Sequence, residues 1–166
     1  MNTVTSNAFS GLRIAVSAIL ERRQGQRGRW SFREWRLVGM VAGQATGGQA
    51  PECTLIHSDE HSRRYLWSGL SLVLYRDAAE AYWYNLVGKN PSLYLICGAR
   101  ADHELAPLLV SANYDEAAAH METDAKVFSA PMPPEVYRWL ESYVMDNYVP
   151  REPEKRRREN WIKDGH

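Results

Sequence analysis

Apolar and polar residues alternate along much of the first half of this chain. In RIAVSAILERR, Ile14, Val16, Ala18 and Leu20 share one side, the two-residue period of a strand with one buried face. Glycines at 25 and 28 make GQRGR a loop by composition. WSFREWRLVGMV then sets Trp35, Leu37 and Val41 at even spacing, with Arg36 and Val38 opposite, and predicts a second strand. GQATGGQAP, residues 43–51, has the composition of an exposed flexible loop. RRYLWSGLSLVLYRD alternates Tyr65 and Trp67, then Leu70, Leu72 and Leu74, with Ser68-Gly69 between as a kink, bulge or turn. AEAYWYNLV is apolar on both faces, and with the turn GKNP and the uncharged run SLYLICGA it reads as a hairpin through the middle of a sheet.

The period changes further on. APLLVSAN and AKVFSA predict two short strands, and NYDEAAAHME between them predicts a short helix with Asn113 or Asp115 as cap. PMPPEVYRWLESYVMDNYVP sets Val136, Leu140, Tyr143, Val144 and Asn147 on one helical face, opened by Pro133 and Pro134 and stopped before Pro150. The expected fold is α+β, a mostly antiparallel curled sheet or sandwich with this C-terminal amphipathic helix packed on it. Residues 1–10 read as a flexible leader, 11–149 as one β-rich domain and 150–166 as a charged arm.

Composition adds little bias. At 166 residues the chain fits one domain, able to bury roughly two-thirds of its unfolded surface. Twenty cations balance twenty anions, so no global field draws nucleic acid or anionic lipid, and any basic patch must be local. No run approaches a membrane span and no cationic leader precedes an apolar core, which points to the cytoplasm and away from membranes. Two cysteines are too few for a disulfide framework.

No catalytic constellation stands out. ECTLIHSDEH offers Cys53, His57, Asp59, Glu60 and His61, all zinc-ligand types, yet in a strand Cys53 and His61 would lie about 26 Å apart. A surface loop with incidental histidines is the better reading, and no metal or cofactor is expected. Cys97 in LYLICG reads as a small buried hydrophobe. The acids Asp77 with Glu80, and Asp115 with Glu116, occur at turns and caps, where acids are common. Tyr65, Trp67, Tyr75, Tyr82, Trp83 and Tyr84, near Arg63 and Arg64, could stack bases, but the glycine-containing consensus of RNA-binding sheets is missing. Core packing plus one partner-facing patch accounts for them better.

PREPEKRRRENW sets four adjacent cations, Lys155 to Arg158, before Trp161. From Arg151 to Asp164 six cations face four acids, a net of +2, too mixed for a dedicated nucleic-acid arm. The prolines at 150 and 153 hold the segment extended. Two readings stay open, a solvated tail and a docking arm for an acidic protein surface with Arg156, Arg157, Arg158 and Trp161 as contacts.

Three stretches carry a family resemblance: R-Y-x-W-x-G at Arg64 to Gly69, E-x-Y-x-x-N-L at Glu80 to Leu86, and P-M-P-P at Pro131 to Pro134. Over about residues 11–160 the chain resembles an uncharacterised bacterial domain-of-unknown-function family. Its members often carry the label molybdopterin-guanine dinucleotide biosynthesis protein A and tend to be encoded beside molybdenum formate dehydrogenases. Guanylyltransferases of that name resemble Rossmann-type proteins with a glycine-rich N-terminal phosphate loop, where this chain has GLRIAVSAILERR. The resemblance therefore implies a non-enzymatic accessory protein for assembly or maturation of a cytoplasmic molybdenum enzyme, formate dehydrogenase first, acting through protein contacts. A molybdopterin guanylyltransferase and an RNA-binding regulator are the alternatives.

Overall fold

The computed structural model describes residues 12–43, 50–101 and 104–151. Among the described residues seven strands form one sheet: β1 (Leu12–Arg27), β2 (Trp30–Ala42), β3 (Glu52–Ser58), β4 (Ser62–Leu74), β5 (Ser92–Ala99), β6 (Leu105–Ser111) and β7 (Lys126–Pro131). The helices are α1 (Ala79–Val87), α2 (Tyr114–Met121) and α3 (Pro134–Asn147). The path runs β2-β1-β4-β6-β5-β7, and β3 pairs with β4 on the edge that β6 uses further along. Every pairing is antiparallel except the single β4–β6 bridge at Leu72 and Val110. The end strands β2 and β7 come close together, so the sheet curls into a nearly closed barrel. The fold is α+β with a curled sheet; the sandwich alternative does not occur.

The alternation in β1 does what its period requires. Ile14, Val16, Ala18 and Leu20 are buried, and Leu70, Leu72 and Leu74 of β4 meet them inside. Ser68 and Gly69 form a bulge in one continuous bent strand: Val16 pairs with Leu70 but Ala18 with Trp67, and Gly69 takes φ +76. That left-handed conformation suits glycine because it has no Cβ to clash.

Three local expectations need correction. GQRGR is not a loop, since β1 runs on through Arg27 and only Gly28 and Arg29 turn, with Gly28 at φ +63. Val41 does not face the core. Ile19 pairs with Gly39 but Leu20 with Leu37, so the extra residue Val38 switches the parity of β2 and turns Met40 inward instead. AEAYWYNLV is a helix rather than half of a hairpin: Ala79, Tyr82 and Leu86 are buried at helical spacing while Trp83, Tyr84 and Val87 are exposed.

The motif residues hold these pieces together. The Tyr82 hydroxyl accepts from the backbone N–H of Tyr75. Asn85 donates to the carbonyls of Ser92 and Ala112 and accepts from the N–H of Ser92, tying α1 to both neighbouring strands. The Met132 N–H bonds the Pro91 carbonyl at 2.9 Å just before Pro134 opens α3. Val136, Leu140 and Val144 of α3 then join the core cluster beside α1, and Tyr143 meets Tyr82 edge-on. Asn113 caps α2 by accepting from the Asp115 N–H.

Candidate protein interface

Beyond Leu20 the inner strands outrun the core and form a ribbon, with β1 between β2 and β4 and β3 on the outside. Glu21, Arg23, Gly25 and Arg27 of β1 lie on its outer face, opposite to Leu20. Register places Arg64 of β4 and Arg36 of β2 directly beside Glu21, and Glu34, Phe32 and Trp30 follow on the same face. Sequence supplies the arginines; pairing brings them to one carboxylate.

Glu21 is 1% exposed, although it sits on the outside of the sheet. Arg64 Nε donates to its Oε2 at 2.5 Å, Arg23 Nε to its Oε1 at 2.6 Å, and Arg36 Nη2 lies 3.3 Å from Oε1. The Arg64 hydrogen bond holds the carboxyl below its ordinary 4.5, against the opposing effect of burial. The three guanidiniums are about half exposed. Arg23 and Arg64 use Nε inward, so their terminal Nη groups make no other hydrogen bond among the described residues. Three cations on one anion leave a net of +2, with planar donors fixed in place and aimed at solvent.

Aromatic groups extend this face to the hairpin tip. A Cβ on Gly25 would fall 2.5 Å from Phe32 Cζ, so the Phe32 ring lies across the bare backbone of that glycine. Arg27 lies over the same Phe32 ring, its Cζ 5.4 Å from the ring centroid. Trp30 is 80% exposed. Arginine, tryptophan and phenylalanine on one rigid sheet face are the composition that dominates binding energy at protein interfaces.

The inner face differs. Arg22 is buried and pairs with Glu104 across the barrel mouth, Trp35 lies 6.1 Å from Tyr65, and Arg100 sits 6.0 Å from Trp67. Trp67 is itself buried, as is Tyr82, and neither is open to a base. Arg64 points away from Tyr65 and Trp67, so the cluster expected from sequence divides between two faces.

ECTLIHSDEH is not a loop. β3 is an edge strand in which all seven residues are exposed, and with neither face buried there was no alternation to read. His57 bonds Asp59 at 3.0 Å, and the Asp59 carboxylate caps the following turn by accepting from the N–H groups of His61 and Ser62. Those bonds, the one from His61 N–H first, hold Asp59 far below the usual carboxylate range. Among the described residues no group of three His, Cys, Asp or Glu converges to hold an ion. Cys97 is buried, and burial pushes its thiol up to about 12. The contacts expected at Arg156, Arg157, Arg158 and Trp161 lie outside the described residues.

Sequence reasoning missed the Glu21 cluster and Trp30. The one available signal was parity: Glu21 and Arg23 stand opposite to Leu20, and Arg36 opposite to Leu37, so all three had to leave the core side. No helix among the described residues is long and apolar enough to cross a membrane. No curated protein and no solved structure matches the chain. The family described as a protein of unknown function, DUF3305, matches residues 15–158, and the chain belongs to that family.

Proposed function

We propose that this protein is a non-enzymatic accessory protein that works by gripping an acidic surface of a protein partner. By the family resemblance, it assists assembly or maturation of a cytoplasmic molybdenum enzyme, formate dehydrogenase first. The observation that carries the gripping role is the outer ribbon face, where Arg23, Arg36 and Arg64 share the one buried carboxylate of Glu21 beside Phe32 and Trp30. Because pairing has already ordered the guanidiniums, a partner's carboxylates meet donors whose entropy is largely spent before binding. The buried Glu21 and the nearby Glu34 limit the appeal of this face to a polyphosphate backbone, which favours protein over RNA. In the same reading Arg156, Arg157, Arg158 and Trp161 provide a second basic contact with an apolar anchor. Against the guanylyltransferase alternative stand the missing phosphate loop and a sheet with a single parallel bridge.

Affinity capture with the full chain, from cells that make a molybdenum formate dehydrogenase, tests this. A subunit of that enzyme, or a factor that matures it, should be retained, and Arg36→Glu with Arg64→Glu should cut retention by about tenfold or more, since like charges would then meet. Trp30→Ala should weaken retention while leaving the unfolding midpoint in place. Retention that ignores these changes sinks the ribbon reading, and retention of RNA instead supports the regulator. Formation of a dinucleotide from GTP, magnesium and molybdopterin would overturn the non-enzymatic reading.

A further inference from the structure

A trench beside the helices shares no residue with the ribbon face. Its larger part, a hollow of about 830 Å³, lies between the α1–β5 turn, the end of β7 and the first turns of α3. Pro91, Ala130, Pro131, Met132, Pro134 and Tyr137 give it apolar walls. A second hollow of about 530 Å³ adjoins it, and Lys89 and Asn90 line both. Tyr84, Tyr94 and Tyr114 line this second part, the last two meeting edge-on with centroids 5.9 Å apart. Tyr84 and Tyr114 are 64% and 57% exposed, aromatic surface of the kind enriched at interfaces and not used by the core.

The walls are fixed before anything binds. The Met132 N–H bonds the Pro91 carbonyl, Ser92 Oγ donates to the Asn90 carbonyl at 2.8 Å, and the Asn85 amide ties α1 to the start of β5. The rings of Pro91, Pro131 and Pro134 lock their own backbone, so an occupant meets a surface with little freedom left to lose. Lys89 on the turn and Arg138 on α3 set one cation on each wall of the larger hollow. Both are exposed, and neither forms an ion pair among the described residues. No acid lines the larger hollow, and Asp115 is the one acid lining the smaller.

We propose that this trench binds an extended peptide segment of a protein partner, with a bulky apolar side chain seated in the larger hollow and a neighbouring carboxylate met by Lys89 and Arg138. Charge complementarity selects an acidic occupant, since the two cations have no anion of their own opposite them. The proline, methionine and tyrosine walls select an apolar group beside that acid, because such surface gains by leaving water. Length selects a chain over a small molecule: the two hollows together exceed the roughly 300–1,000 Å³ of a small-ligand pocket. An extended peptide instead places alternate side chains about 7 Å apart along one side and can fill both. The trench is a contact separate from the ribbon and does not depend on it.

Panning the full-length protein against random peptides of about seven residues, long enough at roughly 23 Å to span both hollows, tests it. Enriched peptides should carry a large apolar residue within two positions of Asp or Glu. For the tightest of them, made with a fluorescent label, Lys89→Glu with Arg138→Glu should weaken binding by about tenfold or more, because two attractions become repulsions. Arg36→Glu with Arg64→Glu should leave that binding unchanged. In the wild type, the amide signals of Lys89, Asn90, Ser92 and Ser129 should shift when the peptide is added. No enrichment, or a peptide whose binding follows Arg36 and Arg64 and ignores Lys89 and Arg138, overturns the proposal. Displacement by N-acetyl-leucine at the same concentration overturns it too, in favour of a small carboxylate. If the Lys89 and Arg138 variant does not fold by circular dichroism, the wild-type amide shifts decide, and shifts confined to residues outside the trench overturn it. Failure here leaves the ribbon reading untouched, since capture through the ribbon is read at Trp30, Arg36 and Arg64.

Discussion

Replacing Glu21 by Gln removes the one anion under three guanidiniums while keeping size and shape. In the native protein each carboxylate oxygen accepts a short charge-assisted bond, one from Arg64 at 2.5 Å and one from Arg23 at 2.6 Å, with Arg36 further off at 3.3 Å. The amide keeps one oxygen as an acceptor and turns its NH₂ toward a guanidinium, donor against donor. Each charge-assisted bond contributes about 1.5–3 kcal/mol, but the arginines are half exposed and regain water when released. The net loss is about 2–3 kcal/mol, or roughly 4–12 °C in the unfolding midpoint for a domain of this size. The pH dependence adds a second constraint. The folded carboxyl titrates below its ordinary 4.5, so its contribution is fully present above that value and is lost as pH falls through the folded pKa. Thermal unfolding of both proteins at pH 7, 5 and 3.5 should show a constant gap between the first two that narrows at the last. A midpoint unaffected by the substitution, or a gap as wide in acid as at neutrality, refutes the account of Glu21 as an ionised hub.

Leu140→Asp should destabilise by about 4 kcal/mol or more, because Leu140 is fully buried in the core and the new charge has no partner; urea unfolding checks it. Gly69→Ala should cost about 1–2 kcal/mol, since φ +76 in the β4 bulge strains any residue with a Cβ, whereas Gly39→Ala, with open space around the added carbon, should cost less. Of the two thiols, exposed Cys53 should be the one alkylated in the native protein near pH 8, while Cys97, buried and held up near 12, should react only after unfolding; peptide mapping separates them.

The chain's own pattern determined the inward faces of β1 and β4, a break in the strand at Ser68-Gly69, α2 with its start near Asn113, and α3 with Val136, Leu140 and Val144 on one face. Each is a local statement: a period, a cap or a glycine reports which face of one segment is buried, and that needs no knowledge of the neighbour. What failed was of another kind. In α1 the aromatic, two-sided composition favours a strand when taken alone, and packing against α3 and β5 selects the helical face Ala79, Tyr82 and Leu86. In β2 one extra residue, Val38, reverses parity for everything after it, and the extra residue is defined only by pairing with β1. β3 carries no burial pattern because backbone pairing alone holds it. Glu21 shows the same limit at the candidate interface. Parity puts Glu21, Arg23 and Arg36 on an outer face, but only the registers of β1 with β2 and β4 set Arg36 and Arg64 beside one carboxylate. Local periodicity is written into consecutive residues, whereas register depends on segments far apart in the chain, with 43 positions between Glu21 and Arg64, so only the folded sheet could bring that cluster together.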